Sequence, residues 1–105
     1  MQPSITVHEL KKKLSSNEHF ILLDVRTIEE REIAKIVPSV WIVLDDLEVK
    51  YNTLDKNKDI IVYCHHGSRS DAAAAFLRDK GFNAVSLSGG IDAWSEKIDS
   101  SAERY

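Results

Sequence analysis

The sequence predicts an α/β domain in which helices cover both faces of a parallel sheet. Three observations predict it. Short apolar runs alternate with segments of helical period along the chain. Runs such as Phe20-Ile21-Leu22-Leu23-Asp24-Val25 are apolar on consecutive residues, as strands buried on both faces are. The helical segments open on capping-box spacings or stop at glycine. The chain has 105 residues, so one domain over 1–105 is expected, with a polar tail from about residue 99.

Pro3-Ser4-Ile5-Thr6 predicts a short edge strand. Thr6 and Glu9 have capping-box spacing, and Val7, Leu10 and Leu14 share the stripe of the helix that follows. Residues 20–25 form the next strand. Thr27 and Glu30 repeat the capping box and open a short helix to about Ala34. Val40-Trp41-Ile42-Val43 predicts a second buried strand, and Leu44 to Tyr51 a weak helix. Asp59 to Tyr63 is a β-branched strand. Cys64 to Ser68 is a polar loop, and a helix runs from about Arg69 to Lys80, ended by Gly81. Phe82 to Leu87 supplies the last strand. After Gly89-Gly90 a final helix is expected over Ile91 to Ile98, and the residues beyond it are expected to fray. Trp41 and Trp94 are expected in or near the core.

Net charge is -3, from 14 basic and 17 acidic residues scattered along the chain. That balance points to neither a nucleic-acid nor a membrane partner. A single cysteine forms no internal disulfide and nucleates no multi-thiolate zinc site. The amino-terminal residues lack the apolar stretch of a signal peptide. A cytoplasmic protein with a reduced thiol is therefore expected.

Cys64 is the informative residue. It stands at the carboxyl end of a strand, where open α/β sheets bind ligands, and a short loop leads from it into a helix. The amides and dipole of a helix start favour negative charge, and the thiolate is the reactive form of cysteine. From Ile60 to Ser70 there is no acidic residue, while Arg69, His65 and His66 can all carry positive charge. Gly67 permits the backbone angles of an anion-cradling loop. The two adjacent histidines are read as solvent-facing groups that tune the local field, with no metal implied.

The stretch Val62-Tyr63-Cys64-His65-His66-Gly67-Ser68-Arg69-Ser70-Asp71-Ala72-Ala73 resembles the active-site segment of the rhodanese family. Three more stretches resemble family motifs in the right order. These are Leu22-Leu23-Asp24-Val25-Arg26 with Glu29-Glu30, Leu77 through Gly81-Phe82, and Leu87-Ser88-Gly89-Gly90-Ile91-Asp92-Ala93-Trp94. The resemblance runs from Ile5 to about Trp94. It departs at Ala34-Lys35-Ile36-Val37-Pro38-Ser39, where the family reads Gly-His-Ile-Pro-Gly-Ala.

The resemblance implies a three-layer fold with a five-stranded parallel sheet. It also implies a cysteine that takes sulfane sulfur from a donor such as thiosulfate and passes it to cyanide or a thiol. Cys64 takes the catalytic position, with His65, His66, Gly67, Ser68 and Arg69 as the substrate-binding loop. Asp24 and Arg26 are read as structural support. The chemistry needs no metal and no organic cofactor. Partners are then a small anionic donor, an acceptor, and in an alternative reading a protein that gives or takes the sulfur. A non-catalytic regulatory module is a further alternative, against which Cys64 and Arg69 both argue. Cysteine phosphatases and arsenate reductases also place a cysteine in an anion-binding loop that ends in arginine. Four residues separate Cys64 from Arg69 here, and phosphatase loops, by resemblance, have one more.

Overall fold

A computed structural model describes residues 3–105. Its centre is a five-stranded sheet, all parallel, in the order β1-β5-β4-β2-β3. The strands are β1 (Ser4–Ile5), β2 (Phe20–Asp24), β3 (Val40–Trp41), β4 (Asp59–Tyr63) and β5 (Ala84–Leu87). Between and after them run α1 (Val7–Ser15), α2 (Ile28–Ile33), α3 (Leu47–Lys50), α4 (Ser68–Asp79) and α5 (Gly90–Lys97). Two single 3₁₀ turns, Leu44–Asp46 and Tyr51–Thr53, flank α3.

Strand alternation divides the core into two layers. Ile60, Val62 and Cys64 join Leu23, Val25, Leu47, Ala73, Ala74 and Leu77 on the side of α3 and α4. Ile61 and Tyr63 join Leu22, Val7, Leu10, Ile91 and Trp94 on the side of α1 and α5. The three-layer expectation therefore holds. Small residues at Ala73 and Ala74 let α4 approach the sheet on the face that carries Cys64.

Both capping boxes form. Thr6 and Glu9 exchange side chain–backbone bonds at 3.1 and 2.9 Å, and Thr27 and Glu30 do so at 3.3 and 3.2 Å. Three expectations are corrected. The strand expected over residues 40–43 pairs only through Val40 and Trp41, and these are 47% and 39% exposed. It is the sheet's edge, partnered by β2 alone. The segment expected as one helix from Leu44 to Tyr51 splits into a 3₁₀ turn, four α-helical residues and a second 3₁₀ turn that begins at Tyr51. The residues after α5 are not frayed. Ile98 and Ala102 pack on the α1–α5 side of the core, and Arg104 grips Asp92. No helix among the described residues is long and apolar enough to cross a membrane.

Candidate functional site

The carboxyl ends of β2 and β4 lie side by side, with Asp24 in register with Tyr63. Beyond β4 the chain turns through residues 64–67 into α4. Cys64 is 1% exposed. Its Sγ accepts the Gly67 N–H at 3.1 Å and the Ser70 N–H at 3.3 Å, and its thiol reaches Ser70 Oγ at 3.4 Å. Helix α4 has Gly67 as its N-cap and no side-chain cap of the usual kind. Cysteine sulfur thus stands where a serine or aspartate oxygen ordinarily accepts the unpaired N–H groups of a helix start. Both donors are aimed at the sulfur as at an acceptor.

The loop is held in shape from three sides. Gly67 has φ +130°, a conformation side chains rarely adopt. Ser70 Oγ donates to the Gly67 carbonyl at 3.0 Å and lies 2.7 Å from Ser86 Oγ. The first amides of α5 complete the clamp, Ile91 N–H on the Cys64 carbonyl at 2.9 Å and Asp92 N–H on the His65 carbonyl at 3.1 Å. Gly90 lies so close that an added Cβ would strike the His65 and Cys64 carbonyl oxygens.

Each loop side chain has a definite place. Ser68 and His66 are exposed, and His66 Nε2 is 3.9 Å from Asp92. His65, expected to face solvent, is half-buried. Its ring packs between His66, at 3.8 Å, and Tyr105, at 4.0 Å and 11° from parallel. Its Nε2 is buried with no hydrogen-bond partner among the described residues. Burial and the neighbouring His66 push its pKa down. His65, His66 and Asp92 bring three possible metal-ligating atoms within 4.8 Å of one another. Both Asp92 oxygens already accept from Arg104, at 3.0 and 3.1 Å.

Arg69 makes a contact the sequence did not suggest. Its two Nη groups bind the Glu30 carboxylate at 2.6 and 2.9 Å. Glu30 is thereby held well below the usual carboxylate range, and Arg69 is raised by the same bonds. The loop's positive charge is consequently balanced on the spot. Tyr105 donates to Glu30 Oε2 at 2.7 Å and accepts from Arg26 Nη1 at 2.8 Å. Burial pushes the Tyr105 hydroxyl up to about 12, so it keeps its proton.

Asp24 and Arg26 are fully buried beneath this layer. Arg26 Nε and Nη2 fork onto the two Asp24 oxygens, each at 2.9 Å, and Arg31 Nη1 and the Tyr63 hydroxyl add 2.9 and 3.1 Å contacts to Oδ2. Burial opposes the Arg26 charge, but the Asp24 bonds override it and hold the guanidinium protonated. The atypical 34–39 segment hangs on the same groups. Ala34 O accepts from Arg26, Ser39 from Arg31, and Ile36 N–H donates to Tyr63 Oη. Trp41, expected near the core, is half exposed and donates its indole N–H to the Arg26 carbonyl at 2.7 Å.

Sequence reasoning thus reached the loop and missed Ser70, Glu30 in its pairing role, and Tyr105. An open depression of about 360 Å³ adjoins the loop, lined by His66, Gly67, Ser68, Asp71, Ser88, Gly89 and Ser4. Cys64 does not line it. A larger one, about 450 Å³, lies at the opposite end of the sheet around His19 and Phe20, away from the sulfur.

The Rhodanese-like domain family model matches residues 6–97. YrkF of Bacillus subtilis (strain 168), provisionally named a sulfur carrier protein, is 38% identical over 98 residues, which are 92% of this chain and 53% of that protein. This chain therefore spans about half of YrkF's length. YtwF of the same organism, provisionally named a sulfurtransferase, is 37% identical over 90 residues, 86% of this chain and 87% of its own. The crystal structure of a rhodanese-like domain protein from Staphylococcus aureus superposes with a TM-score of 0.85 at 33% identity, covering 98% of each chain. Family match and superposition agree over almost the whole length, and the chain belongs to the rhodanese-like domain family.

Proposed function

We propose that this chain is a sulfurtransferase that carries sulfane sulfur on Cys64, from a donor such as thiosulfate to a nucleophilic acceptor such as cyanide or a thiol. The observation that carries this reading is the pair of N–H groups, Gly67 and Ser70, aimed at Sγ from the start of α4. The Cys64 thiolate attacks the outer sulfur of thiosulfate. A new S–S bond forms, the old one breaks, and sulfite leaves with its electron pair. The persulfide anion is then stabilised by the backbone donors of residues 65–69, as an oxyanion is in its hole. An acceptor attacks that outer sulfur, and the electron pair returns to Cys64. In this scheme Arg69 and the loop from His65 to Ser68 meet the donor, and Asp24 and Arg26 hold the floor. No step calls on a metal or an organic cofactor.

Intact mass after thiosulfate treatment tests the reading. We expect one added sulfur atom, removed by cyanide, and no adduct in Cys64→Ser. Thiocyanate production by Cys64→Ser at the parent rate would refute it. Phosphatase activity toward p-nitrophenyl phosphate is expected to be absent, since the loop is one residue shorter than phosphate-encircling loops. Cys64-dependent phosphate release faster than thiocyanate formation would reverse that assignment.

A second reading makes the chain a sulfur carrier that works with a protein partner. Ile28, Ile33, Val37, Val40 and Trp41 favour it, because all are exposed apolar groups on α2, β3 and the segment between them, next to Glu30. A labelled-sulfur transfer assay with and without cell extract separates the two.

A further inference from the structure

The segment after α5 returns to the cysteine loop. Arg104 forks onto Asp92. The next residue, Tyr105, lays its ring on His65, the first residue after Cys64. Its hydroxyl bonds to Glu30, the carboxylate that holds Arg69, the second residue of α4. The ring therefore rests on the residue after Cys64 and is bonded through Glu30 to the first turn of α4. Arg26, from the end of β2, fixes the hydroxyl from below. On the outer side, the depression beside His66 and Gly67 does not open onto Cys64. Cys64 is 1% exposed, and Tyr105 lies against the neighbouring His65 and Glu30.

We propose that Tyr105 is a specificity-determining residue that sets the size limit of what reaches Cys64. Small inorganic donors and acceptors pass with the ring in place. A thiol carried on a peptide or protein enters only when the ring leaves His65 and the hydroxyl leaves Glu30 and Arg26. One ring stack, the Arg26 guanidinium 5.9 Å from the ring centre and two hydrogen bonds hold the ring there, and it is already partly exposed, so the segment is displaceable. The step it gates, resting on the sulfurtransferase reading above, is attack by the acceptor thiolate on the outer sulfur of the Cys64 persulfide. The new S–S bond forms on the acceptor, the S–S bond to Cys64 breaks, and its electron pair stays on Cys64 as thiolate.

Alkylation of Cys64 by iodoacetamide and by a bulky N-aryl maleimide measures the size limit without any sulfur donor. Tyr105→Ala is expected to raise the maleimide rate on the order of tenfold while leaving iodoacetamide little changed, since a ring stack and a pair of hydrogen bonds are modest restraints. Tyr105→Phe keeps the ring and loses both hydrogen bonds. It is expected to shift the ratio the same way by less, and it carries the test if thermal melting shows the alanine variant unfolded. In sulfur transfer, Tyr105→Ala is expected to favour a cysteine-containing peptide over cyanide as acceptor, relative to the parent. A maleimide-to-iodoacetamide ratio unchanged in every folded variant overturns the gate. Failure of the parent to form a persulfide overturns the sulfurtransferase reading instead, and the alkylation ratio still decides the gate.

Discussion

Arg69 and Glu30 approach to 2.6 Å beside the cysteine loop, and that ion pair fixes the charge an incoming anion meets. Arg69 alone would attract thiosulfate; with Glu30 beside it the net field is small. Arg69→Ala is therefore expected to do more than delete a donor, because it leaves Glu30 uncompensated next to the proposed thiosulfate site. We expect thiosulfate kcat/KM to fall by about ten- to hundredfold. Adding Glu30→Gln should recover part of the loss, because the neutral glutamine amide can still close the capping box with Thr27. A double variant as poor as Arg69→Ala would show that the two residues do not act as a pair. The same pair predicts a pH effect on stability. Arg69 holds Glu30 in the fold below its ordinary value of 4.5. The contribution is thus fully present above about pH 4.5 and is lost as the pH falls toward the depressed value. Melting temperature should fall less steeply below pH 4.5 in Glu30→Gln than in the parent, and parallel profiles would count against the pairing.

At the scale of elements, two helix starts build the loop, and each does so by an unusual means. Helix α4 takes its cap from a cysteine sulfur, and α5 directs its first amides at the Cys64 and His65 carbonyls. The second arrangement requires a residue with no side chain at Gly90, whose φ is +60°. Gly90→Ala drives a methyl group into backbone that cannot swing aside, and overpacking of this kind costs about 1–3 kcal/mol. The expected result is a lower urea midpoint together with loss of persulfide formation, since the displaced atoms carry Cys64. Full activity at parent stability would mean that the α5 clamp does not position the loop. Element by element, the sequence is readable where local chemistry decides. The capping boxes at Thr6 and Thr27 and the apolar runs of β2 and β4 form as expected. It misleads at β3, where Val40-Trp41-Ile42-Val43 is as apolar as a central strand. The structure makes it an edge whose strand ends at Trp41, with Ile42 N–H still bonded to the Asp24 carbonyl at 3.0 Å before the turn at Leu44. Strand propensity does not report sheet position.

Across the whole molecule, the part of the site that lies within one stretch of chain, Cys64 to Arg69, is legible because strand, loop and helix follow one another there. The part that closes it is not. Glu30 meets Arg69 across 39 residues and Tyr105 across 75, and no local pattern marks such contacts. What brings them together is the buried platform at the carboxyl end of the sheet, where Asp24 receives Arg26, Arg31 and Tyr63. That platform ties β2, β4, α2 and the 34–39 segment to one carboxylate, and Arg26 extends it to Tyr105. One buried carboxylate there serves two guanidiniums and a phenol, so its energetic weight appears when it is removed. Asp24→Asn would leave the fully buried Arg26 without a counter-charge, a change that costs about 3–5 kcal/mol. Against a typical domain stability of about 5–15 kcal/mol that is a large fraction. Arg31→Ala is expected to cost distinctly less, because Arg31 is partly exposed and Asp24 keeps the Arg26 fork. Urea denaturation of the two variants gives the order directly. If Arg31→Ala proves the more damaging, the weight of the platform lies in its hold on Ser39 and the 34–39 segment rather than in the Asp24–Arg26 pair. If Asp24→Asn costs more and also shifts the Tyr105-dependent alkylation ratio, the buried pair is what transmits order from the sheet to the mouth of the cysteine loop.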